Sequence, residues 1–243
     1  MRRNDTRPLM NLVLVFAGDF ADASRVVLRG RRADHVREVH RAAVGDELVI
    51  GVAGGRIGRG RVLRAGDEIE MDLTLDREPP PPLDMTLVLA LPRPKVLNRV
   101  VAAVTSLGVK RVFLVNAWRV EKSYWKSPRL SEENLHAQAV IGLEQARDTM
   151  LPRIETRRLF RPFVEDELPS IIAGTTALVA HPYASEECPR KVQGPIVLAI
   201  GPEGGFIQQE IDSLMKIGFR AVSIGERILR VETAIATLIG RIV

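Results

Sequence analysis

Short apolar runs alternate with amphipathic stretches along residues 84–243. The apolar runs predict strands, and stretches with apolar residues three and four positions apart predict helices. The predicted strands are 85–91, 109–116, 154–160, Thr176–Ala180, Ile196–Ile200 and 220–224. The predicted helices are 95–107, 131–150, 163–173, 208–217 and 232–243. This order predicts an α/β fold with a mainly parallel sheet and helices on both faces.

The preceding part of the chain, residues 9–75, has the pattern of a small β-rich domain. Its predicted strands are 12–16, Arg25–Leu28, Glu47–Val52, a return strand through Ile57 and Val62, and 69–75. One helix is predicted at 33–43. Four prolines at 79–82 form an extended, semi-rigid run. We therefore predict two domains, 1–78 and 84–243, with a proline linker at 79–83.

The stretch 195–206, PIVLAIGPEGGF, organises the second domain. Its first half is an unbroken apolar run, which is typical of a strand covered on both faces. Its second half is a turn in which three glycines permit unusual backbone angles and close backbone approach. The loop lies between a strand and a helix, the position where open α/β sheets bind ligands. A purely structural turn is the alternative, and neither the Walker loop nor the dinucleotide fingerprint is present.

A second motif, SIGERILRVETAIA, follows at 223–236. Together, IGPEGGF and IGERILRVETA resemble the RsmE family, the 16S ribosomal RNA uridine-N3 methyltransferases of the SPOUT superfamily. The segment 35–46 resembles the family's N-terminal PUA-like β-barrel, a domain type associated with RNA binding. The resemblance implies an S-adenosylmethionine-dependent enzyme of 16S ribosomal RNA in the small ribosomal subunit. It also implies a SPOUT-type sheet with a C-terminal trefoil knot.

In that family, three loops at strand ends form the cofactor pocket. The matching cofactor-binding candidates here are Ala180, His181, Pro182, Ile200, Gly201, Glu203, Gly204, Gly205, Ile224, Gly225, Ile228, Leu229 and Thr233. The resemblance places adenine against Ile224, Ile228 and Leu229, and the methionine and ribose near His181, Gly201 and Glu203. His181-Pro182 is alternatively only a turn, and Thr233 is alternatively a helix cap.

Uridine N3 carries a proton at neutral pH, so the enzyme must supply a base or stabilise the uridinate. Arg230 is the candidate stabiliser because guanidinium offers several donors in a fixed fork. Glu203 and Glu232 are the candidate bases, with Glu232 alternatively serving the helix dipole. Arg230 alternatively pairs with Glu203 or Glu226 and holds the loop.

Two segments depart from the family pattern. Residues 102–106, AAVTS, lack the Lys and Glu of the usual stretch, and 144–148 read EQARD where the family has Glu-Gln-Ser-Gly-Arg. The cofactor loops are intact. The departures bear on contacts with RNA or between subunits, and they leave room for a different target base.

The net charge is +5 and the isoelectric point about 9.8. Arginines are concentrated in the first domain, as expected of a surface that binds phosphate. The predicted RNA-binding residues are Arg25, Arg29, Arg31, Arg32, Arg37 and Arg41. An ordinary solvated surface is the alternative.

The single cysteine, Cys188, fits a reducing cytoplasm and is expected to be a bystander. The charged first ten residues do not have the pattern of a signal peptide, and no apolar run is long enough to span a membrane. The four histidines lack the spacing of metal ligands, so no metal is predicted. Residues 232–243 are apolar on more than one face, which together with the SPOUT resemblance predicts a homodimer.

Two further classes of function compete with the methyltransferase. One is an RNA-binding ribosome assembly factor that retains a vestigial pocket. The other is a nucleotide-dependent enzyme that uses the glycine loop for phosphate. The intact cofactor motifs disfavour the first, and the missing lysine and fingerprint disfavour the second.

Overall fold

A computed structural model describes residues 11–38 and 41–243. The chain folds into two compact units. The first comprises the described residues up to Pro81 together with Leu143–Leu151, and the second comprises Pro82–Gly142 and Pro152–Val243. The first ten residues, with their charged pattern, lie outside the description, as do positions 39 and 40 of the predicted helix 33–43.

The first unit contains a five-stranded sheet. Its elements are β1 (Val13–Val15), a 3-10 turn (Ala17–Asp19), β2 (Arg25–Leu28), α1 (Arg31–Glu38), β3 (Glu47–Val52), β4 (Ile57–Ala65) and β5 (Ile69–Arg77). The strand order is β1-β3-β4-β5-β2, in which β1 and β3 are parallel and the other pairs antiparallel. Alternate residues of β5 are buried, and Leu28, Ile50 and Met71 are fully covered in the core.

The segment Leu143–Leu151 is joined to the first unit by specific hydrogen bonds. The amide N–H of Leu14 donates to the Glu144 carboxylate at 3.2 Å, and the Thr149 hydroxyl donates to the Gly55 carbonyl at 2.6 Å. A Cβ atom added at Gly51 would lie 2.5 Å from the Thr149 side chain. The EQARD departure at 144–148 therefore lies in a segment that packs within the first unit.

The second unit alternates strands and helices, as predicted. Its first half comprises β6 (Leu83–Ala90), α2 (Pro94–Ser106), β7 (Val109–Val115), 3-10 turns at Tyr124–Lys126 and Pro128–Leu130, α3 (Glu132–Ala146) and β8 (Arg153–Arg157). The last four residues of α3, 143–146, belong to the first unit. Next come α4 (Phe160–Pro162), a π-helical turn (Phe163–Glu167) and α5 (Leu168–Ile172). The last elements are β9 (Thr176–Ala180), β10 (Ile196–Ile200), α6 (Gln208–Lys216), β11 (Arg220–Val222) and α7 (Val231–Ile242).

The six strands of the second unit form a wholly parallel sheet in the order β11-β9-β10-β6-β7-β8. All five residues of β10 are buried, which agrees with the unbroken apolar run that predicted a covered strand. The α/β prediction is confirmed. Because every strand points the same way, the six carboxyl ends lie along one edge of the sheet.

Several predicted boundaries were wrong. Helix α3 ends at Ala146, not at residue 150, because Arg147 adopts a left-handed φ of 54° and the Asp148 carboxylate accepts the N–H groups of Thr149 and Met150. The helix predicted at 163–173 begins at Phe160 and contains a π-helical turn. Pro169 lacks the N–H that a regular α-helix would require there.

The predicted strand 220–224 ends at Val222. Ser223 instead pairs with the segment that follows β9: its N–H donates to the Glu186 carbonyl at 2.9 Å, and its carbonyl accepts the Cys188 N–H at 2.7 Å. The predicted strand 154–160 is β8, and it stops at Arg157. Among the residues described, no helix combines the length and apolar character needed to cross a bilayer.

Candidate functional site

A cavity of about 420 Å³ opens at the carboxyl edge of the parallel sheet in the second unit. The segments that follow β9, β10 and β11 surround it, and α7 contributes one wall. Twelve of the thirteen predicted cofactor residues line this cavity. They are Ala180, His181, Pro182, Ile200, Gly201, Glu203, Gly204, Gly205, Ile224, Gly225, Ile228 and Leu229.

The strand register brings these segments together. Ala180, the last residue of β9, is paired with Ile200 of β10 on one side and with Val222 of β11 on the other. The N–H of His181 continues this pairing by donating to the Val222 carbonyl at 2.9 Å. Three apolar strands that end at one level therefore leave a concave space between their loops.

The glycine loop requires glycine for a steric reason. A Cβ atom at Gly201 would lie 2.7 Å from the backbone nitrogen of Phe206, so any larger residue would displace the main chain. Gly205 has a left-handed φ of 74°, and its N–H donates to the Pro202 carbonyl at 2.7 Å to close the turn. The loop is thus a tight turn whose backbone also borders the cavity.

Glu203 is exposed at the cavity wall. Its carboxylate accepts the backbone N–H of Arg93 at 3.0 Å, at the start of α2. One oxygen of the carboxylate thereby connects the loop after β6 to the glycine loop after β10. This hydrogen bond fixes where the charge lies and leaves it accessible to a ligand.

The structure adds nine residues to the site that were not among the predicted cofactor residues. They are Arg119, Tyr183, Pro202, Val222, Ser223, Arg227, Val231, Ala234 and Leu238. Arg119 follows β7, and its guanidinium donates a hydrogen bond to the carbonyl oxygen of Gly204. Its position directly after a predicted parallel strand could have indicated Arg119, since the carboxyl ends of parallel strands lie along one edge of the sheet. Ala234 and Leu238 were visible only as part of an apolar helix.

Three predicted site residues do not line the cavity: Arg230, Glu232 and Thr233, all within the described part of the chain. Arg230 is the exposed N-cap residue of α7, and its carbonyl accepts the Ala234 N–H. Glu232 lies 3.7 Å from the guanidinium of Arg99 on α2. Thr233 is exposed in the first turn of α7.

Four of the six predicted RNA-binding arginines in the first unit are engaged with carboxylates. Arg25 lies 3.4 Å from Glu70, Arg29 2.6 Å from Glu68, and Arg37 2.5 Å from Asp34. Arg32 donates two hydrogen bonds to buried Asp19. Arg41 is exposed, and Arg31 lies in α1.

Cys188 is buried, with 1% of its surface exposed. Burial raises the pKa of its thiol, while the positive charge of Arg241 acts in the opposite direction. Within residues 11–38 and 41–243, no group of three or more His, Cys, Asp or Glu side chains is placed to hold a metal ion.

Comparison with known proteins agrees with this architecture. Residues 79–243 match the family model described as an RNA methyltransferase domain. The ribosomal RNA small subunit methyltransferase E of Treponema pallidum is 30% identical over 93% of this chain and 87% of its own length. The protein of that name from Mycobacterium bovis is 28% identical over 96% of this chain and 92% of its own.

Solved structures show the same fold. A ribosomal RNA small subunit methyltransferase E from Neisseria gonorrhoeae, bound to S-adenosyl methionine, superposes with a TM-score of 0.75 at 23% identity, covering 95% of both chains. A putative methyltransferase from Legionella pneumophila, in complex with the same cofactor, gives 0.74 at 22% identity, covering 95% of this chain and 96% of the other. The family model and the relatives that match most of this chain show that it belongs to the ribosomal RNA small subunit methyltransferase E family.

Proposed function

We propose that this protein transfers a methyl group from S-adenosylmethionine to N3 of a uridine in 16S ribosomal RNA. The observation that carries the proposal is the cavity formed by the three segments after β9, β10 and β11. Both motifs that resemble the RsmE family, GPEGG and IGERIL, border it. The reaction is then expected in the cytoplasm, where ribosomal RNA is assembled with protein.

The cavity residues fit the cofactor in size and chemistry. S-adenosylmethionine, when bound, supplies a methyl group already activated on a sulfonium. Ile224 and Leu229, with the apolar wall of Ala234 and Leu238, offer an apolar surface for adenine. Gly201 permits the tight turn whose backbone borders the cavity, because a Cβ atom there would meet the main chain of Gly205 and Phe206. The exposed Glu203 carboxylate supplies negative charge near a cationic ligand.

For the acceptor, we assign Glu203 as the base that takes the proton from uridine N3, directly or through water. It borders the cavity, whereas the other candidate, Glu232, faces Arg99 across the contact between α2 and α7. A carboxylate held by one backbone N–H keeps further lone pairs for a proton. Glu232 is assigned to holding the first turn of α7 against α2.

Arg230 is proposed to stabilise the negative charge that develops on O2 and O4 of the uridine. Its side chain is exposed beside the loop 223–229 and makes no ion pair with a described residue. A guanidinium in that position is free to contact a base brought to the cavity mouth. Thr233 is exposed in the first turn of α7 and does not border the cavity, so no contact with the cofactor is proposed for it.

We further propose that the C-terminal region forms a trefoil knot. The segment after β9 supports this, because it bonds both to Ser223 beyond β11 and to the end of α7. The Val192 N–H donates to the Ile242 carbonyl at 2.7 Å, and Arg241 donates to the Cys188 carbonyl at 2.6 Å. The chain after β11 thus runs beside a long earlier connection, as a threaded chain would.

The first unit is proposed to be a PUA-like barrel that binds RNA. Its five mostly antiparallel strands and its concentration of arginines support this. The contacts of the arginines refine the assignment. Arg29 and Arg37 form exposed pairs that can exchange a carboxylate for a phosphate, whereas Arg32 is held by buried Asp19.

A homodimer is also proposed, although the apolar residues of α7 no longer support it as the sequence suggested. The apolar residues Ile235, Leu238, Ile239 and Ile242 are each at most 1% exposed within the chain itself, so they do not require a partner. What supports the dimer is the SPOUT resemblance and the remaining exposed face of α7. Light scattering at micromolar concentration should give twice the chain mass of 26.9 kDa.

The proposed activity is tested with small ribosomal subunits from a strain that lacks the gene. The purified protein and labelled S-adenosylmethionine are added, and digested nucleosides are identified by mass spectrometry. We expect 3-methyluridine at one position of 16S ribosomal RNA. RNA binding without any methylated nucleoside would favour the assembly factor, and methylation of a different base would identify another RNA target.

A further inference from the structure

The cavity occupies only part of the carboxyl edge of the parallel sheet. Since β6 separates β10 from β7, the ends of β7 and β8 continue the same edge beyond the glycine loop. The loop 116–130 follows β7, and Arg158 follows β8. None of the aromatic residues of this loop has a role in the cofactor site described above.

Trp118 is the unusual residue of this loop. Its side chain is 80% exposed, the highest value among the exposed large hydrophobic side chains of the described residues. Its backbone is nevertheless firmly held. The Trp118 N–H donates at 2.7 Å to the carboxylate of buried Glu210, which also accepts the Ile207 N–H at 2.9 Å. The backbone of Trp118 is therefore held in place while its indole is presented to solvent.

Trp118 adjoins the cofactor cavity through the next residue in the chain. Arg119 lines the cavity, and its guanidinium donates a hydrogen bond to the carbonyl of Gly204. A base stacked on Trp118 would therefore lie next to Arg119, the residue whose guanidinium contacts the glycine loop. This places the indole at the approach to the site where the target nucleotide must be methylated.

A second tryptophan extends the surface. The Trp125 indole N–H donates to the Asn116 side-chain oxygen at 2.9 Å, and the Arg158 guanidinium carbon lies 5.5 Å from the centre of the Trp125 ring. Arg158 also donates to the Trp125 carbonyl at 3.4 Å. These contacts fix a cation beside an aromatic side chain.

The cations of this region differ from those of the first unit. Arg158, Lys122, Lys126 and Arg129 are exposed, and none makes an ion pair with a residue that the structure describes. Most arginines of the first unit already have a carboxylate partner. Positive charge beside an exposed aromatic residue is the combination that binds single-stranded nucleic acid, because bases stack and phosphates pair with cations.

We propose that Trp118 stacks on a base of the substrate RNA next to the target uridine, while Arg158 and Lys126 contact phosphates of the same strand. This inference rests on the proposed function and identifies where the substrate strand lies. The indole is a positioning residue for RNA rather than part of the cofactor site. A second copy of the chain covering Trp118 is the competing occupant.

The test compares Trp118→Ala and Trp118→Phe with the wild-type protein. Methylation rates are measured against the concentration of unmethylated small ribosomal subunits, and retention of unmethylated 16S ribosomal RNA on filters gives binding directly. Loss of one base stack should raise KM and weaken RNA retention about tenfold in Trp118→Ala. Trp118→Phe should keep most of both, and S-adenosylmethionine affinity should be unchanged in each.

Arg158→Ala should weaken RNA retention and flatten its salt dependence, because fewer counterions are released. Met215→Ala and Lys216→Ala are the matched controls. Both residues are exposed at the far end of α6, at the opposite edge of the sheet, and should leave KM and retention unchanged.

The outcomes separate the inference from the function on which it rests. A wild-type protein that binds 16S ribosomal RNA without methylating it contradicts the proposed methyltransferase activity. In that case, retention of the RNA by the Trp118 variants still tests whether a base stacks on Trp118. Wild-type methylation with unchanged KM and retention in Trp118→Ala overturns the inference alone. It is also overturned if Trp118→Ala converts a dimer into a monomer in light scattering, since the indole would then be a subunit contact.

Discussion

The guanidinium of Arg119 donates a hydrogen bond to the carbonyl oxygen of Gly204. This contact joins the loop after β7 to the glycine loop after β10, across the position of β6 in the sheet. A Cβ atom at Gly204 would lie 2.9 Å from the Arg119 side chain, so the glycine permits the close approach. The glycine loop is thus held from outside by one side chain as well as by its own turn.

Replacing Arg119 should therefore loosen the glycine loop. We expect Arg119→Ala to weaken S-adenosylmethionine binding about fivefold, the effect of losing one partly exposed hydrogen bond to a charged group. Arg119→Lys should restore part of the affinity. Calorimetry measures both variants, and wild-type affinity in Arg119→Ala would show that the loop keeps its shape without this contact.

Arg230 and Glu232 should respond differently to substitution. If Arg230 stabilises the developing uridinate, Arg230→Ala lowers kcat by about a hundredfold with little change in cofactor affinity or melting temperature. Arg230→Lys should recover only part of the rate, because an ammonium cannot reproduce the guanidinium fork. Wild-type turnover in Arg230→Ala would remove this residue from the mechanism.

Glu232→Gln serves as the comparison for the Arg230 variants. It should cost at most about 1 kcal/mol of stability, since the contact with Arg99 is long and partly exposed. Its turnover should stay close to that of the wild type. A large loss of kcat in Glu232→Gln would reassign the base from Glu203 to Glu232.

Two arginines of the first unit, Arg32 and Arg29, should differ in how much their replacement lowers the stability of the protein. Arg32→Ala leaves the carboxylate of Asp19, which is 8% exposed, without its two guanidinium hydrogen bonds. We expect a loss of about 2 kcal/mol of unfolding free energy, measured by denaturant titration. Arg29 forms an exposed pair with Glu68, so Arg29→Ala should change stability by less than about 1 kcal/mol.

Arg29→Ala should instead reduce the slope of RNA affinity against salt concentration by about one unit, as expected when one phosphate contact is lost. S-adenosylmethionine affinity should not change. An unaltered slope in Arg29→Ala would show that the first unit does not bind RNA phosphate through this arginine.

Cys188 should be unreactive in the folded protein. Its thiol is buried and burial raises its pKa, so the protonated form persists at pH 8, near the ordinary cysteine value of about 8.5. The folded state therefore holds this proton more strongly, and the associated stability is lost as pH rises through the folded pKa. A disulfide reagent at pH 8 should react slowly before unfolding and quickly after it, and equal rates would contradict the burial.

The parallel sheet was predictable from the sequence for local reasons, whereas the residues of the cavity were predicted from the resemblance of two motifs to a known family. An unbroken apolar run such as that of β10 predicts a buried strand without knowledge of its neighbours, and the glycines of GPEGG predict a turn directly after it. The end of α3 was not predictable from its apolar pattern, because it depends on the turn made by Arg147 and Asp148. The assignment of Leu143–Leu151 to the first unit was not predictable either. It rests on contacts between residues that are far apart in sequence, such as the hydrogen bond from Thr149 to Gly55.

The partners of charged groups were the least predictable feature. The arginine cluster was visible as charge, but whether Arg32 is available for RNA depends on Asp19, which only the fold places beside it. In the same way, Arg230 and Glu232 are part of the second motif, yet neither side chain borders the cavity. Spacing in the sequence indicates a site, and packing decides which side chains reach it.

The proposed chemistry depends on S-adenosylmethionine binding in the cavity at the carboxyl ends of β9, β10 and β11. The decisive experiment is calorimetry of the wild type and Gly201→Ala with chelator present, and Gly66→Ala is the control because its Cβ would meet nothing within 4 Å. We predict one cofactor bound per chain, affinity lowered at least about tenfold by Gly201→Ala, and no change in Gly66→Ala. Absence of binding by the folded wild type, or equal affinity in Gly201→Ala, would contradict cofactor binding at this cavity.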